Sequence, residues 1–257
     1  MTLHLSTPEH RMLVEQLATA ANGTLDVPAL APESLPQSKE MAYAMQGALL
    51  HAHGAEVGGW KVGARSPGGP ASAAPLLARG VCESGHQLDA IDFPVLGVEL
   101  EIAFRLGRPF SPRREGYAEA EVMEAIRSMA ATIEIVTSRY CSWPEVDKLL
   151  QLVDFQNHGA LIVGEDAPYS VDFPYLDPSI SLTLDGVDIL KSLPANPAGD
   201  PRLLLTWLVN HVTGRGMSLP TGTLITTGSY TGMFFPQNPG VVEGRIAGLP
   251  AVSVVLA

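Results

Sequence analysis

The sequence predicts an α+β protein in which a helical N-terminal part, residues 1–57, precedes a β-rich body, residues 58–257. Apolar residues recur at helical spacing near the N-terminus, whereas alternating and β-branched runs dominate the remainder. The 25 glycines and 21 prolines are more turn residues than a helical bundle carries. Strands and helices do not alternate as in a doubly wound α/β fold. We see no internal repeat or linker, so we expect one domain.

Four helices are expected from periodicity and capping signals. The first spans 8–21, and the second spans 38–54, where Ser38 can cap the free N–H groups and a glycine can end the helix. A third is expected at 118–130. The fourth spans 200–214, because its Asp-Pro start offers a capping carboxylate and a proline suited to the first helical position.

The patterns of the remaining segments predict strands joined by turns and loops. Residues 96–106 and 180–184 alternate, and the Asp185-Gly186 pair after the second run is typical of a tight hairpin turn. At the C-terminus, VVEGRIAG followed by PAVSVVL predicts another hairpin. Loops are expected at 22–37 and 64–75, and the second has the composition of a flexible loop or lid.

Charge and composition exclude several classes of function. The chain has 257 residues, with 27 acidic and 16 basic side chains and a net charge of −11. This balance, without a Lys/Arg cluster, argues against nucleic acid and anionic membranes as partners. No apolar run is long enough to span a membrane, and the first residues lack a signal-peptide layout. Cys82 and Cys141 make no disulfide framework, so we expect a cytoplasmic protein in which both cysteines are packing residues.

Three glutamates are candidate metal ligands. Glu99 and Glu101 share one face of a predicted strand, where two carboxylates can converge on a hard cation such as Mg²⁺ or Mn²⁺. The alternative is a half-buried strand with a solvated acidic face. Glu134 lies in the apolar run TIEIV, where a carboxylate is costly unless it is paired or metal-bound. An arginine, Arg139 or Arg105, is the alternative partner for Glu134.

Lys61 is a second candidate, in the segment GGWKVG. The flanking glycines allow a close approach to a ligand, and the ammonium group can face an anionic substrate. The alternative is a surface lysine in a glycine-rich turn. Among the histidines, His51 and His53 do not share a helix face, and His158 is either part of a site or a capping or surface residue. The chain has neither a GxSxG elbow nor a phosphate-binding GxxxxGK[ST] loop.

Six segments together resemble one family, the 2-keto-4-pentenoate hydratase / 4-oxalocrotonate decarboxylase group of the fumarylacetoacetate hydrolase superfamily. The two-glutamate strand and the third glutamate further along the chain are the most specific part of the resemblance. The segments are GWKVG at 59–63, GVELEIAFRL at 97–106, IEIVTSRY at 133–140, GALIVGE at 159–165, GDPRLLLTWL at 199–208 and LPTGTLITTGSYTG at 219–232.

The resemblance implies a fold, a cofactor and a set of site residues. The family fold is a mixed, rolled β-sheet body with peripheral helices, and its members are homo-oligomers, dimers or higher. The cofactor is Mg²⁺ or Mn²⁺, and the substrate is a small 2-oxo acid or its dienol. The implied roles are metal ligation for Glu99, Glu101 and Glu134, catalysis for Lys61 and Asp154, and substrate binding for Arg79, Asn157, Thr227 and Gly228.

Departures from the family pattern leave three functional hypotheses. Phe155 replaces a family asparagine, and Arg79 lies in a region where related hydratases commonly carry an acidic residue. Arg79 either binds a distal carboxylate or faces solvent. The first hypothesis is hydration of a 2-hydroxy-2,4-dienoate to a 4-hydroxy-2-oxo acid in aromatic or related catabolism. The second is decarboxylation of an oxalocrotonate-like diacid, with Arg79 as its anchor, or C–C hydrolysis of an acylpyruvate. The third is a non-catalytic family member.

Overall fold

The computed structural model describes residues 7–20 and 32–257. Within these residues the structure has five α-helices and thirteen β-strands. The helices are α1 (Pro8–Thr19), α2 (Lys39–Ala52), α3 (Glu119–Met123), α4 (Lys148–Val153) and α5 (Leu203–Gly214). The strands are β1 (Val57–Gly63), β2 (Ser72–Leu77), β3 (Val81–Glu83), β4 (His86–Leu88), β5 (Gly97–Leu106), β6 (Ile126–Val136), β7 (His158–Val163), β8 (Ala167–Pro168), β9 (Ile180–Leu184), β10 (Val187–Asp188), β11 (Leu224–Ser229), β12 (Gly240–Ile246) and β13 (Val252–Leu256).

The strands form two mixed sheets. The larger sheet has the order β2-β1-β11-β5-β6-β7-β3, with β8 paired to β6, and it curls into a half-barrel. The smaller sheet has the order β10-β9-β12-β13-β4. The pairs β1–β11, β3–β7 and β13–β4 are parallel and the others are antiparallel. The expected α+β class, a rolled sheet body with peripheral helices, is therefore confirmed.

The smaller sheet packs against one face of the larger one. Val242 and Val254 of the smaller sheet share a buried apolar cluster with Leu100 and Ile133 of the larger sheet. The two sheets meet so closely that a Cβ at Gly244 would lie 2.4 Å from Leu100 Cδ1, so a larger residue there would displace the Leu100 side chain. Helices α1, α2 and α4 share a second cluster with β2. Side chains of β5 that alternate with Leu100 consequently point away from the smaller sheet.

The prediction of a helix at 118–130 is correct only for its first part and wrong for the rest. Helix α3 ends at Met123, and residues 126–136 form β6 in the middle of the larger sheet. Except for Arg127, the β6 side chains are buried. A strand that is covered on both faces has apolar residues on both faces, so its sequence shows no alternation. The local pattern of β6 therefore could not be distinguished from that of a buried helix.

The other elements agree with the sequence expectations more closely. Ser38 caps α2 by accepting a hydrogen bond from Met41 N at 3.2 Å. The two hairpins are present, with positive φ at Asp185 and Gly186 in the first of them. Helix α5 begins at Leu203, because the Asp200-Pro201 pair forms a turn before it.

The loop expected at 64–75 is shorter than predicted. Its last four residues belong to β2, which pairs antiparallel with β1. Of the loop expected at 22–37, residues 22–31 lie outside the described residues. Among the described helices, none is long and apolar enough to cross a membrane. Neither cysteine forms a disulfide bond, and Cys82 packs against the apolar cluster as expected, whereas Cys141 is exposed and is not a packing residue.

Candidate metal centre and active site

Three carboxylates converge on the face of the larger sheet that is turned away from the smaller sheet. Strands β5 and β6 are antiparallel neighbours, and their register places Glu99 directly opposite Glu134. Glu101 lies two residues along β5, on the same face as Glu99. Ligand oxygens of the three side chains all lie within 4.8 Å of one another. The pairing of the two strands therefore creates the cluster.

These carboxylates do not form a solvated acidic face. Glu101 is 2% exposed and Glu134 is 0% exposed. Burial, followed by repulsion from Glu134, raises the pKa of Glu99 to about 7 and that of Glu101 to about 8. Burial also acts on Glu134, but the Lys61 and His158 side chains outweigh it and hold its pKa below the usual value. The metal-free cluster is thus electrostatically unfavourable, and a cation would relieve it.

Strand β11 fixes the orientation of Glu101. The Thr226 hydroxyl and the Gly228 N–H, the latter at 3.0 Å, both donate to Glu101 Oε2. Gly228 has a φ of +89°, a backbone conformation that favours glycine. Thr227, which the resemblance implied as a substrate contact, points the other way, and its hydroxyl donates to Ile102 O at 2.7 Å. Sequence reasoning missed Thr226 because alternation along β11 determines which threonine faces the cluster.

Lys61 is a strand residue beside the carboxylates and not a surface lysine in a turn. It lies on β1, is 14% exposed, and its Nζ contacts Glu134 Oε1 and donates to Gln156 O at 3.1 Å. Burial lowers the pKa of Lys61, but Glu134, Glu101 and Glu99 outweigh burial and raise it above the usual value. The ammonium form is therefore held at the cluster.

Glu134 pairs with Lys61 and His158, and with neither of the arginines considered from the sequence. Arg139 binds Asp154 at 2.7 Å, and Arg105 binds Asp166 at 2.9 Å. His158 is buried, and its Nδ1 lies 3.2 Å from Glu134 Oε1. The structure thus places His158 behind the cluster, which settles the alternative that the sequence left open.

The segment between α4 and β7 has an unusual backbone. Phe155, Gln156 and Asn157 have φ values of 50°, 53° and 60°, a consecutive left-handed run without a glycine. Side chains other than glycine adopt this conformation at a cost, and normally as single residues. The run turns Gln156 O toward Lys61 Nζ. No local sequence signal predicts such a turn.

Asp154 lies outside the cavity in front of the glutamates. Its buried carboxylate accepts hydrogen bonds from Arg139 N at 3.0 Å and Arg139 Nη1 at 2.7 Å. Arg139 also approaches His158 O at 3.4 Å. The Asp154–Arg139 pair therefore connects the two ends of the left-handed turn, and Asp154, for which the resemblance implied a catalytic role, does not line the cavity.

A cavity of about 520 Å³ lies in front of the three glutamates. Lys61, Asn157 and Gly228 line it together with polar residues that the sequence did not single out, among them Asn196 and Gln156. Arg79 is not among its lining residues. It lines a separate cavity of about 340 Å³, where its Nη2 lies 3.5 Å from His53 Nδ1. In the structure, Arg79 therefore lies apart from the three glutamates.

The donor set fits a hard divalent cation. Carboxylate oxygens are the preferred ligands of Mg²⁺ and Mn²⁺. Glu134 Oε2 is buried and has no hydrogen-bond partner among the residues that the structure describes, while Oε1 is occupied by Lys61 and His158. A buried, unpaired carboxylate oxygen is costly unless a ligand contacts it. The three glutamates thus leave an oxygen available in a cluster that carries excess negative charge.

We expect the metal-free protein to lose stability as the pH rises through neutrality. Because the pKa values of Glu99 and Glu101 rise from 4.5 to about 7 and 8 on folding, these groups favour the folded state at acidic pH. That contribution is lost as the pH rises through the folded-state values. Thermal unfolding of chelator-treated protein between pH 4.5 and pH 8 measures it. Glu101→Gln should flatten this profile, and an unchanged profile would contradict the assignment.

Comparisons with known proteins identify hydratases among the sequence relatives. No family model matches the chain. It is 28% identical over 160 residues to the TodF product hydratase of Pseudomonas putida, covering 62% of this chain and 59% of that protein. It is 26% identical over 157 residues to the 2-keto-4-pentenoate hydratase of Paraburkholderia xenovorans, covering 60% of this chain and 56% of that protein. The chain therefore spans less than two thirds of the length of these relatives.

Solved structures share the fold. The 4-oxalocrotonate decarboxylase from Pseudomonas putida G7, complexed with magnesium and adipate, matches with a TM-score of 0.81 and 22% identity, covering 96% of this chain and 98% of that one. A fumarylpyruvate hydrolase from Pseudomonas aeruginosa, in complex with Mn²⁺ and pyruvate, matches with a TM-score of 0.55 and 16% identity, covering 77% and 88%. The chain is thus similar in sequence to hydratases of the 2-keto-4-pentenoate type and shares its fold with 4-oxalocrotonate decarboxylase, in agreement with the resemblance seen in its sequence segments.

Proposed function

We propose that the protein is a divalent-metal-dependent lyase that acts on a small 2-oxo acid or its dienol. The observation that carries this proposal is the convergence of Glu99, Glu101 and Glu134 in one cavity, with Lys61 beside them. The reaction we favour is hydration of a 2-hydroxy-2,4-dienoate to a 4-hydroxy-2-oxo acid, the type of reaction named for the sequence relatives.

The three glutamates would hold Mg²⁺ or Mn²⁺. Related folds are complexed with magnesium, calcium and Mn²⁺, which supports a divalent cation here. When bound, the cation supplies a Lewis acid that stabilises negative charge on a 2-oxo acid. The buried Thr226 hydroxyl and the Gly228 N–H keep Glu101 in place for this role.

Lys61 would act on the substrate directly. Its Nζ lies between Glu134 and Gln156 O, at the cavity wall, so an anionic substrate in the cavity meets a positioned N–H donor. An ammonium group in a partly desolvated site stabilises the charge that develops on an enolate oxygen, and it can deliver a proton. Asn157 and Gly228 also line this cavity and would contact the substrate.

Asp154 would position this machinery and not react. We expect Asp154→Asn to lower the stability by about 3 kcal/mol, because it leaves Arg139 without its buried partner. It should also lower kcat by about tenfold through a misplaced Lys61, while KM and metal affinity change little. Chemical denaturation and steady-state kinetics measure the two effects.

Asp166→Asn is the matched control for this prediction. Asp166 also pairs with an arginine, Arg105, but both side chains are more exposed, so its loss should cost less than about 1 kcal/mol. If Asp154→Asn instead abolishes turnover and leaves the stability unchanged, Asp154 has a direct catalytic role.

Decarboxylation of an oxalocrotonate-like diacid is the second candidate, because Lys39, Arg65 and Lys148 also line the cavity. The 4-oxalocrotonate decarboxylase that shares the fold is complexed with a dicarboxylate, adipate. An assay with Mg²⁺ that follows loss of dienol absorbance and release of CO₂ separates the two reactions. Hydration consumes the dienol without CO₂. No turnover of a mono- or dicarboxylic substrate by folded, metal-loaded protein would contradict both and support a non-catalytic role.

Three broader features belong to the same proposal. We propose that residues 1–257 act as one catalytic domain, that the protein is a homo-oligomer, and that it works in the cytoplasm. The two cysteines, which form no disulfide bond, are consistent with a reducing compartment. Light scattering measures the oligomeric state, and a monomer would contradict that part.

A further inference from the structure

A second cavity, of about 340 Å³, lies apart from the metal centre and has no part in the proposed reaction. It shares no lining residue with the cavity in front of the glutamates. Leu88 and Phe93 are among its apolar lining residues, and its polar lining residues include Arg79 and Arg139. The only acidic side chain among the described lining residues is that of Asp92. The second cavity therefore offers basic and apolar surface together.

Two buried donors beside this cavity have no hydrogen-bond partner among the described residues. They are the hydroxyl of Thr137, a lining residue that is 5% exposed, and the Nε–H of Arg139, another lining residue. A buried donor without a partner is costly, and an arginine nitrogen can only donate. Oxygen atoms of a bound ligand would accept hydrogen bonds from both groups and remove this cost.

Arg79 supplies a positive charge that is not paired with an acidic side chain among the described residues. Its side chain is exposed, and its Nη2 lies 3.5 Å from His53 Nδ1. Burial, followed by the charges of Arg79 and Arg139, lowers the pKa of His53 to about 4, so this imidazole is uncharged at neutral pH. Arg139, by contrast, pairs with Asp154 at 2.7 Å. The charge of Arg79 is therefore available to a ligand.

We infer that the second cavity is a binding site for a small organic monoanion, a carboxylate with a compact apolar body. The carboxylate would accept hydrogen bonds from Arg79, Arg139 and Thr137, and the apolar body would contact Leu88 and Phe93. One negative charge suffices, because the charge of Arg139 is already balanced and its Nε–H contributes a hydrogen bond only. The apolar lining favours such a ligand over inorganic phosphate, which has no apolar surface to bury there.

Calorimetric titration of chelator-treated protein with benzoate and with benzamide tests the inference, because the two probes have the same shape and differ in charge. The removal of metal keeps the test independent of the proposed reaction. We expect benzoate to bind about tenfold more tightly than benzamide at low ionic strength, and we expect salt to reduce this ratio. Inorganic phosphate should bind more weakly than benzoate. Phosphate binding as tight as that of benzoate would overturn the assignment to a carboxylate.

Arg79→Gln and Thr137→Val test the two proposed contacts. Arg79 is exposed, so its substitution should leave the fold intact, and it should reduce the ratio of benzoate to benzamide affinity by about fivefold. Thr137→Val keeps the shape of the side chain and should weaken benzoate binding by about threefold. Without ligand, this variant should unfold at an unchanged or higher temperature, because it removes a buried hydroxyl that has no partner among the described residues. A lower unfolding temperature would contradict the role of this hydroxyl as a ligand contact.

Arg114→Gln and Lys39→Gln are the matched controls, because Arg114 is exposed and lines neither cavity, whereas Lys39 lines the cavity in front of the glutamates. Neither substitution should change the affinity for benzoate. Equal affinities of the original protein for benzoate and benzamide, or no binding of benzoate, would overturn the inference. A loss of benzoate binding in Lys39→Gln and not in Arg79→Gln would also overturn it, because the ligand would then lie in the cavity that holds the glutamates.

Discussion

Lys61→Met is expected to reduce turnover by about 10³-fold, because it removes the ammonium group that contacts the carboxylate cluster. Methionine fills a similar volume, so the loss should be in charge and not in packing. Steady-state kinetics at saturating Mg²⁺ measures the effect, and Mg²⁺ affinity should be retained because none of the three glutamates is altered.

The same variant should be less stable without metal. Glu134 is fully buried, and loss of Lys61 leaves only His158 against its charge, which we expect to cost about 3 kcal/mol. Mg²⁺ should restore most of this free energy of unfolding by mass action. Equal losses of turnover and metal affinity would contradict the account and indicate a purely structural lysine. Lys191→Met, outside the cavity, should change none of these quantities.

Glu101→Gln is expected to weaken Mg²⁺ binding by about 100-fold or more and to abolish turnover. The amide keeps an oxygen that accepts from Thr226 and Gly228, so the C-terminal half of β11 should keep its conformation. The substitution also removes a carboxylate whose pKa is raised to about 8 by burial and by its neighbours. The metal-free variant should therefore be at least as stable as the original protein at pH 8.

Glu165→Gln provides the matched control for this substitution. Glu165 is exposed, lies two residues after β7 and does not line the cavity, so its substitution should affect neither metal affinity nor stability. Calorimetric titration with Mg²⁺ and thermal unfolding measure both variants. Unchanged metal affinity in Glu101→Gln would show that the cluster is not the cation site.

The sequence was sufficient to predict that Glu99 and Glu101 share one strand face, but not to predict which residues of the neighbouring strands lie beside them. Alternation along a strand is local, so Glu99 and Glu101 were placed on one face correctly. The position of Glu134 opposite Glu99 depends on the pairing of β5 with β6, and the sequence predicted a helix over the first part of β6. Strand register is a property of tertiary structure, which local propensity does not contain.

The surroundings of Lys61 illustrate the same limit. The sequence suggested that the lysine lies near a ligand. Its contact with Gln156 O, however, depends on a left-handed turn formed by Phe-Gln-Asn, and this segment contains no glycine from which such a turn could be predicted. The pairing of Arg139 with Asp154, and not with Glu134, is decided by that same turn. Arg79, expected near the substrate, lies in another cavity because β2 extends to Leu77 and carries the following residues away from the glutamates.

A crystal structure of the protein grown with Mn²⁺ and oxalate tests the central claim most directly, because the anomalous signal of manganese locates the ion independently of the protein atoms. We expect one Mn²⁺ among the carboxylates of Glu99, Glu101 and Glu134, within about 2.0–2.4 Å of an oxygen from each, with oxalate in the cavity beside Lys61. A manganese peak elsewhere, or none at these carboxylates under conditions that saturate binding, would contradict the account.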